Sequence, residues 1–206
     1  MSACSAGSGE RPPPRAGGAS PFAPRLLAAA KAYASYGRIG ERASWAPTLC
    51  AAPAPENTEI DVPRFSKSGD GDTHGQKLYY LYAADRQSYR AGPEGAPAAA
   101  SPIGQIIVKE AWVPEEVQGG PSGGSHSSAR VEREGRIYRP ARVSGLFVMM
   151  KLDPATPDTD QGWVYGTVAE DRATVTSAGR VASCMGCHES APFDRLFGAD
   201  TGSVSP

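Results

Sequence analysis

The sequence predicts an α+β fold, mainly one antiparallel β-sheet with a few peripheral helices. Three observations predict it. Four runs rich in β-branched and aromatic residues lie between Lys77 and Val168, the composition of strands. The segments between them are rich in Gly, Pro, Ser and Asp rather than helix formers, and strands joined by loops pair antiparallel. Helix propensity is concentrated in an Ala-rich stretch near the start. The 24 Gly and 19 Pro fit a loop-rich domain of this kind.

Residues 1–20 are Gly, Pro, Ser and Ala with few apolar groups; they read as a flexible tether. Residues 21–206 then form a single domain. Pro24 to Tyr36 reads as the first helix, R-L-L-A-A-A-K-A-Y-A-S-Y from Arg25 onward. Leu26, Leu27, Ala30, Tyr33 and Ala34 fall on one face, and Gly37 serves as its stop. Trp45 to Cys50 is apolar and broken by Pro47, so it packs on the domain, and residues 51–73 read as loop. Lys77 to Ala83 is the first clear strand, with a helical turn expected over Asp85 to Tyr89 and a loop from Ala91 to Pro102. Gly104 to Trp112 is the second strand. Its alternation puts Gln105, Ile107, Lys109 and Ala111 on one face, with Ile106, Val108 and Glu110 on the other. Residues 115–130 are a polar Gly/Ser-rich insertion. The third strand lies within Tyr138 to Lys151, with Phe147, Met149 and Lys151 sharing a face opposite Leu146, Val148 and Met150. Gly162 to Val168 is the fourth.

Near the C-terminus stands Cys184-Met185-Gly186-Cys187-His188. C-x-x-C-H is the attachment pattern of a c-type haem. Two thiols add across the haem vinyl groups, and the adjoining histidine reaches the iron as proximal ligand. A zinc site would need a second Cys or His pair, and Cys4, Cys50, His74 and His126 form none. A thioredoxin-like redox pair would need a βαβ setting, which the neighbouring sequence lacks. The segment is therefore expected on a short helix or turn beyond the last strand, holding one covalent haem c against a sheet face. Cys50 is expected as a buried free thiol, and His74 and His126 as exposed loop residues.

The charge is balanced, with 21 basic and 22 acidic residues, and no basic stripe or aromatic platform suggests nucleic acid. No apolar run has the length of a membrane span. Covalent haem c is attached outside the cytoplasm, so the protein is expected to be exported. That places it in a bacterial periplasm or anchored to the outer membrane on its periplasmic side. The start has no charged and apolar leader, but Met1-Ser2-Ala3-Cys4 looks like the end of a lipobox. The expectation is a signal peptide lying upstream and a lipid anchor at Cys4.

The order of features resembles the cytochrome P-460 family over roughly residues 76–200. The resemblance rests on Tyr82-Ala83-Ala84-Asp85 through Ser88-Tyr89, the I-I-V-K-E within Gly104 to Glu110, Gly162-Trp163-Val164-Tyr165, and C-M-G-C-H-E-S-A-P-F-D-R-L-F from Cys184 to Phe197. It implies a mainly antiparallel sheet around one haem, often in a homodimer. It also implies two functional branches. In one, the lysine of the V-K-E strand is joined covalently to the haem edge and the enzyme oxidises hydroxylamine or nitric oxide. In the other, the cytochromes c′-beta, that lysine is absent and a phenylalanine caps a gas-binding pocket. Here Lys109 matches the lysine, whereas Phe147 stands where the first branch carries a proton-relaying carboxylate. A phenylalanine cannot accept the protons that hydroxylamine oxidation releases.

The resemblance therefore implies Lys109 and Phe147 as the catalytic pair, in contact with a haem held by Cys184 and Cys187, with His188 on the iron. Arg195 is a further haem-contacting candidate; it and Asp194 could pair with each other, with haem propionates or with His188. Met149 or Met150 is an alternative sixth ligand, as in electron-transfer cytochromes. The expected function is an oxidoreductase acting on hydroxylamine or nitric oxide, with a redox partner protein. The alternatives are a nitric oxide or carbon monoxide carrier and an electron-transfer cytochrome.

Overall fold

The computed structural model describes residues 20–45, 77–89, 100–117, 131–133, 135–191 and 193–196. Its centre is a seven-stranded sheet in which all pairs are antiparallel. The strands are β1 (Gly37–Trp45), β2 (Leu78–Ala83), β3 (Ile106–Glu116), β4 (Val131–Arg133), β5 (Arg136–Lys151), β6 (Trp163–Val168) and β7 (Val175–Gly179). Their spatial order is β1-β2-β3-β5-β6-β7, and β4 pairs with β5 off this path. Helix α1 (Ala23–Ala32) precedes the sheet and helix α2 (Ala182–His188) follows it. The expected α+β class and the mainly antiparallel sheet are what the chain adopts.

The alternation read along the strands sorts the core into two halves. Val108, Leu146, Val148, Met150, Val164 and Val168 join Phe22, Leu26, Ala29, Ala30 and Tyr33 in one cluster beneath α1. On the opposite face Ile107, Met149, Trp163 and Tyr165 gather with Ile39, Ala83, Tyr89, Met185 and Leu196. Helix α1 buries Ala29 where Ala34 was expected; Ala34 is exposed. The helical hydrogen bonding tightens into a 3-10 turn over Tyr33–Ser35, which rotates Ala34 off the buried stripe. Gly37 is the first residue of β1 rather than a helix stop.

Two glycines are required by the geometry. A Cβ on Gly166 would collide with Leu26, so β6 admits α1 to close contact only at a residue without a side chain. Gly145 has φ +139 at a register shift in the β3–β5 pairing, where Ala111 faces Gly145 but Trp112 faces Val143. That is a β-bulge, and a Cβ there would approach the Val168 carbonyl to 2.9 Å.

Three strands lie outside the four expected. They are β1, β4 and β7. β3 also runs on to Glu116, into the start of the expected polar insertion. Asp85 to Tyr89 is a turn: the Asp85 carboxylate accepts the backbone N–H groups of Gln87 and Ser88. The tether, most of the loops at 51–73 and 91–102, and Cys4, Cys50, His74 and His126 lie outside the described residues. No helix among the described residues is long and apolar enough to cross a membrane.

Candidate haem site

Helix α2 carries the whole C-x-x-C-H segment on the sheet face opposite α1. It begins at Ala182 after the extended residue Val181 and ends at His188. Met185 is buried between the helix and the sheet, with Val181 and Cys184 packed beside it. The i, i+3 spacing brings Cys184 and Cys187 to neighbouring positions one turn apart. Cys184 is a free thiol, partly buried, and burial pushes its pKa up. Cys187 is disulfide-bonded. One sulfur cannot hold a disulfide and a thioether together, so haem attachment at Cys187 begins from the reduced thiol.

His188 is held from behind. Its Nδ1 lies 2.7 Å from the Arg195 carbonyl oxygen. A carbonyl only accepts, so Nδ1 carries the proton and Nε2 keeps the lone pair that a metal needs. Burial, reinforced by the charge of Lys109, pulls the imidazole pKa below its usual value despite that hydrogen bond, which favours the neutral, ligating form. The Tyr165 ring stands 5.6 Å from the imidazole.

The residues around His188 form two part-buried ion pairs. Arg195 donates to Asp160 through Nε at 2.8 Å and Nη2 at 3.0 Å, and the Tyr165 hydroxyl donates to the same carboxylate at 2.9 Å. The Arg195 contact, first of all, holds Asp160 below the normal carboxylate range. Lys151 pairs with Asp194 at 3.0 Å, and the Ser101 N–H donates to Asp194 at 2.8 Å. Burial alone would raise Asp194, but the Lys151 hydrogen bond and the Ser101 N–H together bring it below normal. Arg195 and Asp194 thus serve different partners and do not pair with each other.

Lys109 and Phe147 are directly paired across β3 and β5. The Lys109 Nζ lies 4.4 Å from the Tyr79 ring centre and 5.5 Å from that of Phe147. Lys77 approaches the Phe147 ring at 5.5 Å. Burial first, and Lys77 second, lower the Lys109 pKa to about 7, while Cys184 is near enough to oppose them. One sheet face therefore carries Lys109, Phe147, Cys184 and His188 together. Met149 shares it, but Met150 belongs to the α1 cluster, which removes Met150 as an iron ligand.

No curated protein matches the chain. The family model for cytochrome P460 matches residues 63–196, more than half of the chain. The chain belongs to the cytochrome P460 family. As a P460-family cytochrome it takes a haem cofactor, and the α2 face suits one. It offers a histidine with the correct nitrogen protonated, a thiol one helical turn away, and the apolar side chains of Ile107, Met149 and Val181 for a macrocycle to cover. Among the described residues no group of three His, Cys, Asp or Glu could hold a bare metal ion.

Sequence reasoning missed Lys77, Asp160, Lys151 and Tyr165 as members of this site. Tyr165 and Lys151 were legible as pocket-facing by strand alternation. Asp160 sits in a turn of D-T-D-Q-G composition, where a carboxylate usually caps its own backbone, and nothing local distinguishes it.

Proposed function

We propose that this P460-family cytochrome is an exported mono-haem c oxidoreductase acting on hydroxylamine or nitric oxide. In this reading Cys184 and Cys187 hold the haem, His188 ligates the iron, and Lys109 and Phe147 line the distal side. The observation that carries it is the direct pairing of Lys109 with Phe147 on the face that also bears Cys184 and His188. When bound, the haem supplies the redox-active iron and accepts the substrate's electrons. The chain's own residues do the rest. His188 binds through Nε2, Phe147 and Met149 exclude water, and Lys109, with its pKa near 7, is part-neutral at physiological pH. A neutral amine can take a proton, which Phe147 cannot.

A second reading, reversible binding of nitric oxide or carbon monoxide, is favoured by Phe147. Asp160 and Asp194, two carboxylates beside this face, are committed to Arg195 and Lys151, and Phe147 itself cannot relay protons.

The optical spectrum of the purified holoprotein separates the readings. A red-shifted Soret band in the reduced state, lost in Lys109→Leu together with turnover, supports the enzyme. An ordinary five-coordinate high-spin spectrum, unchanged in Lys109→Leu, supports gas binding. A low-spin six-coordinate spectrum sinks both in favour of electron transfer.

A further inference from the structure

The Arg195 carbonyl that meets His188 sits in an improbable turn. Phe193 and Leu196 exchange both backbone hydrogen bonds, at 3.0 and 2.9 Å, leaving Asp194 and Arg195 as the two central residues. Both have positive φ, 48° and 70°. A two-residue loop of this kind ordinarily takes Asn-Gly, because a long side chain disfavours the left-handed region. Something outside the turn must hold Asp-Arg there.

The two ion pairs supply that hold. Lys151, 5% exposed in its side chain, grips Asp194. Asp160, 7% exposed, grips Arg195 by a two-point contact that fixes the guanidinium in a plane. Asp160 is itself anchored, since its backbone exchanges two hydrogen bonds with Trp163 at the head of β6. It also accepts the hydroxyl of Tyr165, whose ring flanks the His188 imidazole. Asp160 therefore acts on His188 by two routes, through the Arg195 backbone and through the Tyr165 ring.

We propose that Asp160 is the positioning residue of the proximal histidine, locking the Asp194-Arg195 turn so that the Arg195 carbonyl polarises the His188 Nδ1–H. A well-aimed acceptor on Nδ1 makes the imidazole a stronger donor to iron, strengthening the iron–histidine bond and lowering the reduction potential. The inference rests on the reading of His188 as the iron ligand.

The test is resonance Raman spectroscopy of the iron–histidine stretch in the ferrous holoprotein, with the midpoint potential measured alongside. In Asp160→Asn the stretch moves to lower frequency and broadens as the carbonyl loses its fixed aim, and the potential rises. Arg195→Lys, which keeps the charge and loses the two-point contact, gives an intermediate shift. Glu110→Gln, on the opposite sheet face, leaves both readouts at their wild-type values. If Asp160→Asn yields no folded protein, Arg195→Lys decides alone. An unmoved band and potential in whichever variant folds overturn the proposal. Absence of any iron–histidine band from the wild-type protein overturns instead the assignment of His188 as ligand.

Discussion

Lys109 and Glu110 are consecutive on β3 and face opposite ways, and the two sheet faces treat their charges differently. Glu110 lies under α1, 6% exposed. It accepts the Tyr33 hydroxyl and the Arg172 guanidinium, while Tyr33 stacks edge-on against Tyr82. Lys109 lies over the α2 face with a second cation, Lys77, as neighbour, and loses its normal basicity. An opposite charge beside a buried carboxylate favours its ionised form, whereas a like charge beside an amine favours its neutral form. The difference teaches that one strand can neutralise a charge on one face and hold two cations close together on the other.

The contrast can be broken by substitution. The largest loss of stability is expected from Glu110→Ala, which leaves the buried Tyr33 hydroxyl without its acceptor. Leaving a buried hydrogen-bonding group unpaired costs about 1–3 kcal/mol, to be read as a lower urea midpoint. The haem spectrum of that variant should match the wild type; a changed spectrum would mean that the two faces are not separate.

Lys109→Met should act in the opposite direction on the haem-free chain. Below pH 7 the amine is charged in both the folded and unfolded states, and the folded state bears the whole cost of burying it. Between about pH 7 and its ordinary value of 10.5 the folded protein has released the proton and the unfolded chain still holds it, so wild-type stability rises with pH. The stabilisation by Lys109→Met is therefore greatest below pH 7, roughly 1.4 kcal/mol for each unit of pKa displacement that survives relaxation, and fades toward pH 10.5. Thermal melts at pH 6 and pH 10 measure it; an equal gain at both would show that Lys109 is not depressed.

The smallest effect belongs to the surface. Arg142 and Glu170 form an ion pair with side chains 65% and 57% exposed, and Arg142→Ala should change stability by no more than about 0.2–1 kcal/mol. A larger loss, measured by the same melts, would mean that exposed charges matter here as much as the part-buried pairs.

The strands that were legible in the sequence are the central ones. β2, β3, β5 and β6 bury side chains on both faces, so their runs are apolar and aromatic, and the alternation of Ile107 with Lys109 and of Phe147 with Met149 could be read directly. β1 and β7 are the two edges of the main path. An edge strand is held on one side only and tolerates polar residues, and G-R-I-G-E-R-A-S-W and V-T-S-A-G carry no clean alternation. β4, only three residues long, exists by virtue of its hairpin with β5.

By itself the sequence determined the C-x-x-C-H spacing of Cys184 to His188, the strand neighbours that share a face with Lys109 and with Phe147, and the family to which the chain belongs. These are local properties, set by residue spacing and by the two-residue period of a strand. Only the tertiary structure decided that Lys109 stands opposite Phe147 in register, that Lys77 shares their company, and that Asp160 reaches across 35 residues to hold the turn behind His188. Register and long-range ion pairs depend on how separate segments meet, and no single segment carries that information in its own pattern.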